Sequence, residues 1–182
     1  MSDTRSKFFD GTVLADPFET LLALDWRKDE FAIAGSASLY MLSTTALNRG
    51  FDGLIARKPQ DLDILVVGEA RERARELGII TDSNLARGYL ISLQLKQNKG
   101  DLLDVTTCWP VGPEVQTARE LEGITHGVDG LRVMEEQWVL ELKDKFNRAK
   151  DRPDIDQAKN VLFRNRKTNA PSGLLPKIPG LP

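Results

Sequence analysis

The hydrophobic positions fall into short runs separated by glycine-bearing turns and charged stretches. Asp16-Pro17 reads as an N-cap followed by a first-turn proline, and Phe18, Leu21, Leu22 and Leu24 then recur at helical spacing, which predicts a short helix ending near Lys28. Phe31 to Ala34 is a brief buried strand broken by Gly35, with Ser36 placed to cap a helix over Ala37–Leu47. Gly50, Asp52, Gly53 and Pro59 mark Asn48 to Gln60 as a loop. Leu62 to Val67 is apolar except for Asp63, as expected of an inner strand covered on both faces, and Gly68 ends it.

The second half changes period. Glu69 to Leu77, rich in Glu, Arg and Ala, predicts a solvent-facing helix with Gly78 as its C-terminal cap. Tyr89 to Leu95 alternates, and Leu102 to Thr107 follows a turn at Asn98, Lys99 and Gly100, so the two runs predict an antiparallel hairpin that Trp109 and Pro110 stop. His126, in Thr-His-Gly-Val-Asp-Gly, reads as an exposed loop residue without a catalytic role. Met134 to Phe146 predicts a helix with Met134, Trp138, Leu142 and Phe146 on its core face, and Pro153 opens a last helix, Asp154 to Arg164. Asn169 to Pro182 holds four prolines and two glycines and reads as an extended arm or a disordered end. The expected fold is α/β (α+β): a small mixed sheet at about 29–110 with helices packed on it, C-terminal helices at about 131–166, one domain over 1–168, and a tail over 169–182.

Length and charge narrow the function classes. A chain of 182 residues that is 41% hydrophobic and 29% charged can bury one real core. A formal net charge of -2 leaves no global field to draw the protein onto nucleic acid or an anionic membrane, so such contacts would have to be local. One cysteine, Cys108, and one histidine, His126, exclude an internal disulfide and a Cys/His zinc cage. No secretory leader and no run of about 18 apolar residues is present, so the expected compartment is the cytoplasm, away from any membrane.

The candidate chemistry is acidic. Asp61 and Asp63, one residue apart at a strand start, project to the same side of a sheet, and adjacent carboxylates in a low-dielectric setting call for a divalent cation between them, Mg²⁺ or Mn²⁺ by their hard oxygen donors. Asp104 lies within an apolar strand, where an unpaired carboxylate is costly. If that strand lies beside Leu62–Val67, the three aspartates form a cluster able to hold two metals about 4 Å apart, the geometry of in-line phosphoryl transfer. Gly35-Ser36 entering a helix presents backbone N–H groups and a positive dipole end to a phosphate. The bland alternatives are a plain turn with an N-cap at Gly35-Ser36, a solvent-facing Asp61/Asp63 pair partnered by Arg57 and Lys58, a buried ion pair at Asp104, and a solvated basic face from Lys143 to Arg152 with Glu141, Asp144 and Asp151 interleaved.

Gly35-Ser36 after a strand, Asp61-Leu62-Asp63-Ile64 at the next and Asp104 on a later one resemble the DNA polymerase beta-type nucleotidyltransferase superfamily. More narrowly they are similar to the abortive-infection and toxin-type minimal members, in which a Lys, an Arg five residues on, then Lys-Asp and Asp-Ile follow the catalytic strands; here these are Lys143, Arg148, Lys150-Asp151 and Asp154-Ile155. The resemblance spans about Phe31 to Leu162, and the 26 positions from Gly35 to Asp61 imply a loop inserted between Asn48 and Gln60. It implies a metal-dependent enzyme that moves a nucleoside monophosphate from a nucleoside triphosphate such as ATP to a hydroxyl on an RNA or tRNA 3′ end, a protein or a small molecule. Asp61, Asp63 and Asp104 would hold the metals, Asp104 would help deprotonate the acceptor, and Gly35 and Ser36 would cradle the triphosphate. Lys143 would act at the phosphate or on developing charge, with Arg57, Lys58 and Arg148 assisting. A toxin-like role would add an antitoxin protein as partner. The alternative implied by the same fold is a catalytically silent binding module.

Overall fold

A computed structural model of the chain describes residues 7–23, 27–55, 57–76, 89–94, 104–110, 115 and 117–167. The proline-rich tail, the turn at Asn98–Gly100 and the cap at Gly78 lie outside the described residues.

Six strands among the described residues form one mixed sheet: β1 (Phe31–Ala34), β2 (Leu62–Val66), β3 (Tyr89–Gln94), β4 (Asp104–Pro110), β5 (Thr125–Val128) and β6 (Leu131–Met134), in the order β4-β3-β2-β1-β6-β5. β1 runs antiparallel to β2 and parallel to β6, and the remaining neighbours are antiparallel. All four residues of β1 are buried because strands flank it on both edges and helices cover its faces. The helices are α1 (Ala15–Ala23), α2 (Gly35–Asn48), α3 (Gly68–Glu76), α4 (Ala118–Glu122), α5 (Glu136–Phe146) and α6 (Arg152–Lys167), and α2 is the central one, packed on β1, β2 and β6 and carrying α5, which in turn carries α6. The architecture is thus mixed α/β with C-terminal helices, as the periodicity predicts.

Local differences from that reading have physical causes. α1 begins one residue ahead of Asp16; its entry is held by Thr12, whose Oγ1 accepts the Leu14 N–H at 3.1 Å. β4 runs through Trp109 and Pro110 instead of stopping there, and Pro110 occurs on the sheet's edge strand, where a missing N–H is tolerated. His126 lies on β5, within a hairpin closed by Asp129 (φ 48°) and Gly130 (φ 76°), the two left-handed positions of a tight hairpin turn. Met134 consequently ends β6, and the following helix starts at Glu136. Of the residues spaced by four, Met134 and Leu142 are buried and Trp138 packs against the core, joined within α5 by Val139 and Leu140, whereas Phe146 departs from the expected face: it is 37% exposed, with the Arg148 guanidinium 5.7 Å over its ring.

The interval between α2 and β2 is an organised connection. Leu54, Ile55 and Pro59 are buried along it, and Ser43 of α2 donates to the Ile55 carbonyl at 3.2 Å. Gln157 of α6 donates to the Gly53 carbonyl at 3.2 Å. These bonds fix the connection that leads to Asp61, next to β2.

Candidate functional site

The site begins where β1 becomes α2. Register sets Ala34 opposite Asp63. Gly35 then takes φ 59°, which disfavours L side chains. A Cβ on Gly35 would collide with Asp63 Oδ2 and stand 2.9 Å from its Cγ, so the carboxylate occupies the space that only glycine leaves. The N-cap of α2 is Ala34, which has no side chain able to accept a bond from the first turn. Ser36 is therefore not the cap that the sequence pattern predicts. It stands inside the first turn, and its Oγ accepts a hydrogen bond from Lys143 Nζ at 3.0 Å.

Asp61 directly precedes β2, and Asp63 is its second residue; both are half-buried, whereas Leu62 and Ile64 are fully buried. The alternation along β2 thus sends the apolar side chains into the core and leaves the two carboxylates at the open end, beside the N-terminus of α2. β4, however, is not the neighbour of β2, because β3 lies between them: Leu62 pairs with Leu93, and Leu93 with Val105. Asp104 pairs with Gln94, and one more step of the β2–β3 ladder brings Gln94 level with Asp61. Asp104 thus falls in the cross-strand row of Asp61 but two strands away, about 10 Å at the usual strand spacing. Among the described residues no group of three or more His, Cys, Asp or Glu converges on a common point, and the Asp104 side chain is not among those described. Asp61 and Asp63 fit a hard divalent cation by their chemistry: anionic oxygen donors, half-exposed, at the open end of a strand.

Behind the turn lies a buried ionic network. Lys143, 4% exposed, sends its ammonium to Asp151 Oδ1 at 2.8 Å, Asp154 Oδ2 at 3.3 Å and Ser36 Oγ at 3.0 Å, which uses the three donors an ammonium has. Asp154, 3% exposed, also receives Arg57 side-on, from Nε at 2.8 and 2.9 Å and from Nη2 at 2.5 Å. Asp151 receives Arg148 Nε at 2.5 Å. Burial alone would push the Asp151 carboxyl up, but the hydrogen bonds from Lys143 and Arg148 outweigh it and hold the group below the ordinary carboxylate range. The Arg57 guanidinium is held above its ordinary value first by its hydrogen bond to Asp154, against the opposing effect of burial, and further by the charges of Asp154, Asp151 and Asp61. Arg57 thus stands electrostatically between the carboxylates of α6 and Asp61.

The expected site residues divide accordingly. Gly35, Ser36, Asp61 and Asp63 come together at one end of the sheet, with Arg57 and Lys143 behind them. Lys143 reaches this end only through Ser36, since its other donors are taken. Arg148 is engaged with Asp151 at the back of the network, and Lys58 is exposed, with its carbonyl accepting from Gln60 Nε2 at 3.5 Å. Asp151, read among the salt-bridge partners of a solvated face, and Asp154, which enters only as the start of the last helix and through the family pattern, are the buried members to which the sequence reading assigns no site role. Their signal is present: Ile155, Ala158, Val161 and Leu162 form the buried stripe of α6, and helical spacing continues that stripe back onto Asp154 and Asp151. A carboxylate on an inward stripe demands a buried cation. Comparisons with protein-family models, with curated proteins and with solved structures give no match to this chain.

Proposed function

We propose that this protein is a metal-dependent nucleotidyltransferase, moving a nucleoside monophosphate from a nucleoside triphosphate to a hydroxyl acceptor. The observation that carries the reading is the placement of the Asp63 carboxylate against the Gly35-Ser36 turn, at a helix N-terminus with no side-chain cap. Such a terminus attracts anions, and carboxylates beside it attract a divalent cation. A metal-bound polyphosphate satisfies both at once, with the metal on the aspartates and phosphate oxygens on the helix donors.

In this reading Asp61 and Asp63 would hold Mg²⁺ or Mn²⁺, and the bound metal would supply charge neutralisation and Lewis acidity at the phosphates. The first-turn N–H groups of α2 and the Ser36 hydroxyl bind the leaving pyrophosphate portion and orient it. The acceptor hydroxyl oxygen attacks the α-phosphorus, the bond from that phosphorus to the bridging oxygen breaks, and pyrophosphate departs with its electron pair. The hydroxyl proton passes to a carboxylate of the aspartate row or to water. Arg57, four positions before Asp61 in the chain and held by Asp154, would add a fixed guanidinium at the site's edge. By the same family resemblance the acceptor is an RNA or tRNA 3′ end, a protein or a small molecule, and a toxin-type role would pair the protein with an antitoxin.

Binding tests this before any acceptor is identified. Each of the four nucleoside triphosphates is titrated with the protein in Mg²⁺ and in excess chelator. The expected result is saturable binding of at least one triphosphate that needs the metal and weakens at least tenfold in Asp63→Asn. Metal-independent binding, or binding indifferent to Asp63, contradicts the reading.

A further inference from the structure

Lys143 lies 107 positions from Ser36 in sequence, yet their side chains meet in a half-buried hydrogen bond of 3.0 Å. The direction of that bond is unambiguous. An ammonium only donates, so Ser36 Oγ is the acceptor, and the hydroxyl's own hydrogen is left to point elsewhere. Among the described residues that hydrogen is donated to no other group, and the backbone around it is the first turn of α2. Asp151 and Asp154 hold Lys143 from the opposite side, at 2.8 and 3.3 Å, and both carboxylates are almost wholly buried. The ammonium thus has neither a free donor for an incoming anion nor room to turn toward one.

The charges of the cluster add a second effect. Arg57, Lys143 and Arg148 carry three positive charges against two negative charges on Asp151 and Asp154, a surplus of one directly behind the turn. An anion at the N-terminus of α2 therefore meets helix donors and a hydroxyl donor, with this positive cluster behind them and the carboxylates of Asp61 and Asp63 beside them, which a divalent cation would offset.

We infer that Lys143 is a positioning residue, which fixes the Ser36 hydroxyl as an outward hydrogen-bond donor to a phosphate and does not itself touch the substrate, Asp151 and Asp154 being the groups that hold it there. The inference rests on the proposed function and assigns the mechanism of its phosphate cradle.

The test is a coupling measurement on anion binding, independent of any transfer activity. The probe is inorganic tripolyphosphate with Mg²⁺, titrated calorimetrically. Lys143→Met alone would leave buried carboxylates short of a partner, so the working variant is Lys143→Met with Asp151→Asn, which removes one charge of each sign and keeps the surplus of one. Ser36→Ala in the wild-type background is expected to weaken binding about tenfold, the worth of one charge-assisted hydrogen bond. Lys143→Met/Asp151→Asn is expected to weaken it by a similar factor, and adding Ser36→Ala to that pair should then cost less than about twofold, because the two changes act through one hydroxyl. Ser36→Thr, which keeps a hydroxyl, should stay close to wild type. Equal losses from Ser36→Ala in both backgrounds overturn the inference while leaving the proposed function standing. Should the paired variant fail to fold, Ser36→Ala alone decides: affinity equal to wild type overturns the inference. A wild-type protein that binds neither tripolyphosphate nor nucleotide overturns the proposed function as well.

Discussion

Asp63 lies against Gly35 so closely that the carboxylate fills the volume a side chain at that position would need. Gly35 also holds φ 59°, so two independent constraints select the same residue. Gly35→Ala should cost about 1–2 kcal/mol for the left-handed backbone alone, and the displaced carboxylate adds to it. Gly50→Ala is the control, since Gly50 has φ 80° but nothing within 4 Å of its missing Cβ. Denaturant unfolding should rank Gly35→Ala clearly below Gly50→Ala, and Gly35→Ala alone should lose metal-dependent nucleotide binding; equal stability and binding would refute the packing argument.

The ionic network behind the turn should be indispensable to the fold. Asp151, 1% exposed, is the partner of both Lys143 and Arg148, and deleting one member of a buried pair leaves an uncompensated charge. Asp151→Ala should destabilise by about 3–5 kcal/mol, as is typical when a buried pair loses one side, and by far more than Asp144→Ala, whose carboxylate is exposed. Unfolding midpoints in urea check the ranking.

Acid should undo the same network. The folded Asp151 pKa is depressed, so its contribution is fully present above the unfolded value, near 3.9 for an ordinary Asp, and is lost as pH falls through the lower folded value. Stability measured from pH 6 downward should drop steeply below about pH 4, and Asp151→Asn should flatten that limb. A limb of unchanged slope in the variant would show that other carboxylates carry it.

His126 predicts the opposite sign. The Glu136 carboxylate, 3.7 Å from its Nε2, is the main influence raising its pKa, burial opposes that, and the charge of Glu135 adds to it. Because the folded value lies above the unfolded one, this contribution is complete below about pH 6.5 and fades as pH rises through the folded value. His126 is the only histidine, so its ring protons titrate without overlap in an NMR experiment. Their midpoint should lie above that of an unfolded chain, and His126→Gln should remove the loss of stability between about pH 6 and 8.

Much of this architecture is legible from local pattern. The apolar run of β1, the glycine that ends it, the two carboxylates at the start of β2 and the β3–β4 pairing all follow from period and turn chemistry. The β5–β6 hairpin was equally legible in Asp129-Gly130 between Val128 and Leu131, but its strands are four residues long and one carries His-Gly, so the alternation is too brief to outweigh a loop reading. The ionic network was not legible by the same means. Lys143, Arg148, Asp151 and Asp154 stand three to five residues apart, the spacing of exposed helical ion pairs, and only the inward stripe of α6 distinguishes a buried set from a solvated one. The pairings that define the site join Ser36 to Lys143 and Arg57 to Asp154 across 107 and 97 positions, distances over which periodicity carries no information. Strand order is the other hidden quantity: hairpin pairing predicts that β3 and β4 are neighbours, not which of them faces β2.

The most direct test of the central claim is label transfer. The protein is incubated with each of the four nucleoside triphosphates labelled at the α-phosphate, with Mg²⁺ and total RNA, alongside Asp61→Asn and Asp63→Asn variants shown to be folded. The account predicts label on RNA, on protein or in a small-molecule product for at least one nucleotide, with pyrophosphate released, and a loss of at least a hundredfold in either variant, the order expected when charge stabilisation at the reacting phosphate is removed. No transfer with any nucleotide from folded wild-type protein, or transfer that survives both substitutions, would contradict it.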